Sequence, residues 1–371
     1  MSIFERHPKD SVGIWFEERR KLGVSDTIFW ARYKPESNTL DMSEFKHANG
    51  DGMSIMLHML KEAGIDNARV PICRESKPPT KTQLKTIRGK LKPYPKKIKW
   101  LFWKPKNKLV KNSLDTLLLT TKETDAINQK AKSLGVPVTT LILWSLNRAV
   151  YKHLMAASQE YTWFYPVNLR GALDYGTDYA NYSSGFYLPV NGNITLEEMH
   201  KRVSEKLKSG EHWSNLQQAK IAKILPGFVV RLVYRLMSKK FFYAGNFSAM
   251  GSWPEKMLAS QINPIEKGNL RKERWFCCAP GTKNYPISSC IMTWNGQLSL
   301  TLKLHPAIVK DHNVSIDTLC EWGNQLLSEK MKSMDEEKLA QIILDKTFID
   351  DWYFYVILLG VSLLGAFFGS F

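Results

Sequence analysis

From Thr39 to Gly64 the chain reads TLDMSEFKHANGDGMSIMLHMLKEAG. Residues 39–46 and the preceding 27–33 (TIFWARY) read as two strands flanking KPESN, a turn sequence. HANGDG follows at 47–52 with two turn dipeptides, Asn49-Gly50 and Asp51-Gly52. MSIMLHMLKEAG then predicts a helix that stops at Gly64. His47 therefore stands at a strand end, Asp51 and Gly52 lie in a tight turn, and a helix starts behind them. A neutral imidazole, with an ordinary pKa of about 6.5, can accept a proton at physiological pH. The Gly-rich turn would let backbone and substrate approach it closely. Asp51 is a poor second base, because an Asp in such a turn bonds local backbone or pairs with a cation. Taken alone, HxxxDG admits two readings, a histidine beside a turn or a catalytic base.

Working outward, the 371 residues exceed one ordinary core and suit two lobes. Hydrophobic residues at 44% and charged residues at 23% fit a globular protein and exclude wholesale disorder. Fifty-two Lys and Arg stand against 35 Asp and Glu, a formal net charge of +17. A balance this basic implies an anionic partner: nucleic acid, an acidic membrane surface or a phosphate-bearing substrate. The five cysteines form no CxxC pair, which argues against a zinc site and fits reduced thiols in the cytoplasm. The N-terminal MSIFERHPKDS carries charges where an export signal needs an apolar core.

Residues 352–371, WYFYVILLGVSLLGAFFGSF, carry no charge. As a helix, twenty residues at about 1.5 Å each match the hydrocarbon core of a bilayer, and the aromatic cluster at one end suits the interface. The alternative is a buried C-terminal core helix. Residues 77–111 hold thirteen Lys or Arg and no acid, with five prolines and interleaved Tyr94, Trp100, Phe102 and Trp103. The prolines break regular structure and the run reads as a linker between lobes. It also admits a membrane-surface patch or a nucleic-acid surface, although no nucleic-acid module accompanies it.

Beyond the run, helices are expected from Thr120 or Thr121 to Gly135, with Glu123 as capping partner, and at 139–154. Strands are expected at TWFYPVNLR and at 181–190, and an amphipathic helix at 195–209. Residues 287–304 read as a hairpin turning at Asn295-Gly296, and 314–332 as a helix. Alternating strands and helices argue an α/β fold.

The order of these segments resembles the acyl-CoA-dependent acyltransferase superfamily, which includes chloramphenicol acetyltransferase, the condensation domains of peptide synthetases and wax ester synthases. The residues that carry the likeness are HANGDG at 47–52, the helix pair at 126–150, YPVNLRG at 165–171 with the Asn181 region, and FSAMGSWP at 247–254. Together they span roughly residues 25 to 330. The resemblance implies a two-lobed α/β fold of the chloramphenicol acetyltransferase type, with the active site in a tunnel between lobes. Together with the basic run and the apolar C-terminal stretch, it suggests a shortened N-terminal lobe (1–76), the basic linker (77–112), a C-terminal acyltransferase lobe (113–333), a juxtamembrane segment (334–351) and a transmembrane anchor (352–371).

The implied reaction moves an acyl group from a coenzyme A or carrier-protein thioester to a hydroxyl or amine acceptor. His47 matches the catalytic base and Ser248 is the candidate oxyanion donor. Asp51, Gly52, Asn168 and Arg170 match structural positions around the base, with Arg170 as the expected partner of Asp51. No bound cofactor or metal is implied; acyl-CoA or an acyl carrier protein serves as co-substrate. The expected location is a membrane, through a single C-terminal anchor and the basic run, with the catalytic part cytoplasmic. The rival expectation is a catalytically inactive, membrane-anchored binding or assembly module of the same fold.

Overall fold

A computed structural model describes residues 5–344, apart from 38, 66–67, 69, 73–76, 89–96, 106, 108–111, 241, 254–271 and 328–338. The first part of the chain supplies helix α1 (Ser11–Arg20), strands β1 (Thr27–Lys34) and β2 (Thr39–Lys46), helix α2 (Gly52–Glu62) and helix α3 (Lys81–Arg88). Next come β3 (Asn112–Leu118), α4 (Thr121–Ser133), α5 (Val138–Leu154), β4 (Glu160–Asn168) and β5 (Ser183–Asn191). Three helices follow, α6 (Leu196–Ser209), α7 (Glu211–Lys220) and α8 (Gly227–Lys240). The last part holds β6 (Gly245–Trp253), β7 (Arg274–Cys278), β8 (Ile287–Trp294), β9 (Gln297–Leu304), α9 (Asn313–Leu327) and β10 (Leu339–Leu344).

The strands form two sheets. One has three strands in the order β2-β1-β7, and the other has seven in the order β10-β3-β9-β8-β6-β4-β5. Pairing is antiparallel except for β4 with β6 and β6 with β8. The larger sheet buries one face under α4, α5, α6 and α9, where Leu141, Leu146, Trp163, Phe186, Leu300 and Trp322 meet. Asn147 of α5 is a buried polar exception that is hydrogen-bonded through both its amide oxygen and its amide nitrogen. Its Oδ1 accepts from Tyr161 Oη at 2.9 Å and Trp163 Nε1 at 3.0 Å, and its Nδ2 donates to the Asn191 carbonyl at 2.9 Å. A second core lies against α2 and joins the two sheets, with Trp30, Ile55, Met56, Trp275, Met292 and Trp294 at its centre.

Local sequence signals act as physics requires. Thr120 and Glu123 close a reciprocal capping box on α4. Asn295 (φ 47°) and Gly296 (φ 78°) take the left-handed conformations of a two-residue hairpin turn between β8 and β9.

Three findings differ from the sequence expectations. The basic run contains a helix, α3, because all five prolines fall outside Lys81–Arg88 and Thr80 caps it, accepting from Gln83 N at 3.4 Å. Beyond α3 the run is fastened to the second half: Leu101 N donates to the Leu154 carbonyl and Lys104 N to the Ala307 carbonyl, each at 2.9 Å. The three-stranded sheet takes its third strand from Arg274–Cys278, so the small N-terminal half is completed from within the 113–333 segment. Within the stretch expected to be juxtamembrane, Leu339–Leu344 forms β10 and pairs with β3.

The span expected at 352–371 lies outside the described residues, as does 328–332 of the last helix. Among the described residues no helix is long and apolar enough to cross a membrane.

Candidate active site

The site begins where β2 runs out. His47 N donates to the Asp26 carbonyl at 2.9 Å, and Ala48 N to the Asp26 carboxylate at 3.2 Å. The chain turns through Asn49 and Gly50, and Asp51 becomes the N-cap of α2, its Oδ1 accepting from Ser54 N at 3.0 Å. The turn dipeptides and the helix start therefore hold His47 and Asp51 at the two ends of one short loop.

Asp51 is almost fully buried and is met by an equally buried Arg170 from the loop after β4. The guanidinium is bidentate, with Nη1 to Oδ2 at 2.8 Å and Nη2 to Oδ1 at 2.7 Å. Nη2 also donates to Ser54 Oγ at 2.8 Å, and Tyr182 N donates to Asp51 Oδ2 at 2.9 Å. The Tyr182 ring lies under the guanidinium, 4.5 Å from Cζ to the ring centre. Asn168 braces the arrangement: its Oδ1 accepts from Arg170 N at 3.1 Å and its Nδ2 donates to the Pro71 carbonyl at 2.6 Å. Burial alone would raise the Asp51 carboxyl. The Arg170 charge and its hydrogen bonds outweigh that and hold it below the usual carboxylate value. Asp51 is thus an anion at neutral pH that ties α2 to the loops flanking β4 and β5.

His47 is held differently. Its ring stacks on Phe16 of α1, with centroids 3.9 Å apart and planes 14° from parallel. Arg19 covers Phe16, Cζ lying 4.9 Å from the ring centre. Nδ1 is shut away from solvent without a hydrogen-bond partner among the described residues, while the residue as a whole keeps partial exposure. Burial pushes the imidazole below its ordinary value; its own backbone and Asp51 pull upward, Arg19 pushes down, and the net shift is downward. The ring is therefore neutral at pH 7.

Helix α1 completes the site, and sequence reading missed it. The Asp10 carboxylate caps α1 through Gly13 N at 2.8 Å and accepts from Asn181 N at 2.9 Å and Asn181 Nδ2 at 2.7 Å. Asn181 Nδ2 also donates to the His47 carbonyl at 2.9 Å. A Cβ placed on Gly13 would meet the Ala48 carbonyl oxygen at 2.3 Å, so only glycine lets α1 lie this close to the motif. The available signal was Asp10-Ser11 ahead of VGIWFEERR, a helix start with an N-cap.

Ser248 lies on β6, opposite Cys290 of β8. Its neighbours Phe247 and Ala249 join the large core, so Ser248 looks to the other face, the one that carries Met250 and Cys290 into the inter-sheet core. Met250 reaches the motif; its Cε lies 2.9 Å from where a Cβ on Gly52 would stand. No hydrogen bond joins Ser248 to His47 among the described residues. The structure thus brings Asp51, Gly52, Asn168 and Arg170 together, with His47 at the other end of the loop and Ser248 two residues along β6 from the Gly52 contact.

Cys277, Cys278 and Cys290 are buried free thiols, and burial raises Cys278 to about 12, which leaves it without nucleophilic character at neutral pH. Among the described residues no cluster of His, Cys, Asp and Glu could hold a metal ion.

No family model matches the chain, and no curated protein matches it in sequence. Solved structures do match in fold. The X-domain from teicoplanin biosynthesis superposes with a TM-score of 0.50 at 10% identity, covering 88% of this chain and 96% of that one. The condensation domain from the Monacolin K polyketide synthase MokA gives 0.50 at 10% identity, covering 79% and 70%. A trichothecene 15-O-acetyltransferase from Fusarium sporotrichioides is longer: the chain spans 49% of it, with 62% of this chain covered, 12% identity and a TM-score of 0.45. Two sheets, the helices on the larger one and the loop that follows β2 make this chain an α/β protein with the fold of condensation domains.

Proposed function

We propose that the chain is an acyltransferase that moves an acyl group from a coenzyme A or carrier-protein thioester to a hydroxyl or amine acceptor at a membrane, with His47 as general base. The observation that carries this reading is the His47 ring itself. It is neutral, it belongs to a residue that keeps partial exposure, and it stands four residues before the buried Asp51–Arg170 ion pair.

With Nδ1 shut in, proton transfer falls to Nε2. In the proposed step Nε2 takes the acceptor's proton while the acceptor oxygen or nitrogen attacks the thioester carbonyl carbon. The tetrahedral oxyanion would be met by Ser248 or a neighbouring amide. Collapse breaks the C–S bond, and the imidazolium returns its proton to the departing thiolate. No acyl-enzyme is needed, which agrees with the buried Cys278, whose thiol burial raises to about 12. Asp51, Gly52, Asn168 and Arg170 would hold the loop, and residues 352–371 would anchor the enzyme with its catalytic part cytoplasmic.

The test uses the purified full chain with a panel of acyl-CoA thioesters and with alcohols or amines, and reads free thiol. Release that disappears in His47→Ala supports the reading. No release across the panel overturns it and leaves a membrane-anchored binding module, which the stacking of Phe16 over one face of the ring would then explain.

A further inference from the structure

Helix α8 has two apolar faces, and only one is used. Val230 and the partly buried Tyr234 pack inward; Tyr234 meets Trp15 of α1 edge-on, with centroids 6.2 Å apart, and Arg231 pairs with Glu18 of α1. On the outside, Phe228 is 63% exposed, Leu232 47% and Leu236 53%. The stripe continues N-terminally, through the short helical turn before α8, to Ile221 at 49% and Ile224 at 83%. Phe228, Leu232 and Leu236, four apart on α8, share one helical side, and the exposed Ile221 and Ile224 precede them in the turn that leads into the helix. An exposed apolar stripe of this kind marks an interaction surface.

Its charge says what kind. Residues 220–240 contain six Lys or Arg and no Asp or Glu. Lys220, Lys223 and Lys239 are exposed, and Arg235 is partly so. A protein partner's core contact would meet these cations only with its own acids. A bilayer with anionic headgroups satisfies both features together: acyl chains take the Phe and Leu side chains, and headgroup phosphates or carboxylates take the Lys and Arg heads, which snorkel outward.

We propose that the 221–240 face is an interfacial membrane-docking surface for anionic phospholipid, separate from residues 352–371 and from the basic run. It does not depend on the chemistry assigned to His47. Its position has a consequence for that chemistry all the same. Helix α1 touches both the docking helix and the imidazole, with Trp15 and Glu18 turned to α8 and Phe16 to His47. Docking through α8 would place the site within one helix layer of the bilayer.

The experiment places a photo-crosslinking benzoylphenylalanine at position 228 of the full chain. The protein is then mixed with vesicles of phosphatidylcholine alone or with added phosphatidylglycerol. Lipid adducts at 228 that form with the anionic vesicles and not with neutral ones are the expected result. Adducts to residues 352–371, adducts to a second copy of the chain, or no adducts in either vesicle each overturn it. In parallel, the triple variant Phe228→Ser, Leu232→Ser, Leu236→Ser should keep its melting temperature, since the three side chains are exposed. Its yield of vesicle-bound protein crosslinked from a second benzoylphenylalanine at Ile224 should fall by more than about tenfold. An unchanged yield sinks the proposal.

Discussion

His47 and Asp51 are four residues apart in one loop, yet the fold treats them in opposite ways. Asp51 meets a bidentate Arg170, two backbone amides and a hydroxyl, so both oxygens are used. His47 is fixed through its backbone, by Asp26 on one side and Asn181 on the other, while its ring stacks on Phe16 and meets no other side chain in a hydrogen bond among the described residues. A group whose hydrogen-bonding capacity is spent on its neighbours cannot serve a substrate. A ring held in place by its backbone, with capacity left over, can. The comparison assigns stability to one end of the loop and chemistry to the other.

The largest effect should come from the Asp51 end. Breaking a buried, hydrogen-bonded ion pair leaves an uncompensated charge and costs about 3–5 kcal/mol. Arg170→Ala should therefore lower the denaturant midpoint strongly and take any activity with it, and Asp51→Asn should act in the same direction. Arg170→Lys keeps the charge and loses the fork, so it should recover part of the stability. If Arg170→Ala unfolds at the wild-type midpoint, Asp51 is not the anchor proposed here.

His47→Ala should show the opposite pattern. Loss of a general base lowers the rate by about 10²–10⁴-fold. Stability should move by about 1 kcal/mol or less, because among the described residues the ring makes no hydrogen bond to another side chain. A midpoint drop as large as that of Arg170→Ala would erase the distinction between the two ends.

Gly13→Ala probes why His47 is held at all. The added methyl collides with the Ala48 carbonyl, a backbone atom that cannot rotate away. An overpacked contact of this kind costs about 1–3 kcal/mol, and here the strain should lift α1 from the loop. The expected sign is a modest loss of stability with a disproportionate loss of thiol release. Equal losses in both would mean that α1 supports the fold without positioning the ring.

How much of this was legible beforehand follows from the range of each interaction. The loop itself, the α2 start, the α4 capping box and the Asn295-Gly296 hairpin rest on neighbours within a few residues, and the sequence displays them. The Asp51–Arg170 contact spans 119 positions; it was reachable only through the resemblance, since charge type and turn chemistry suggest a cation partner without naming one. The roles of Asp10, Phe16 and Asn181 were not legible. They depend on α1 folding across the loop, and neither periodicity nor motif marks a contact between residues 16 and 47. Strand β7 was hidden for the same reason, because RWFCC pairs with residues about 245 positions earlier, Phe29 with Cys278 being the outermost pair.

The smallest effect separates the two ends most finely, since it concerns only a proton. Burial under Phe16 lowers the His47 value, so between that value and about 6.5 the unfolded chain binds a proton that the native ring refuses. Stability contributed by the neutral ring is full above about 6.5 and is lost as pH falls through that value, until the native ring itself protonates. Phe16→Ala admits water to the ring face, so the imidazole midpoint followed by NMR should rise toward about 6.5. The fall in stability between pH 7 and 5 should become shallower in step. Asp51 obeys the reverse rule: its lowered carboxyl keeps its full contribution across the same interval and loses it only at far more acid pH. A midpoint that does not move in Phe16→Ala would assign the His47 shift to Arg19 instead, and Arg19→Gln should then raise it. If neither substitution moves the midpoint, α1 does not tune the base.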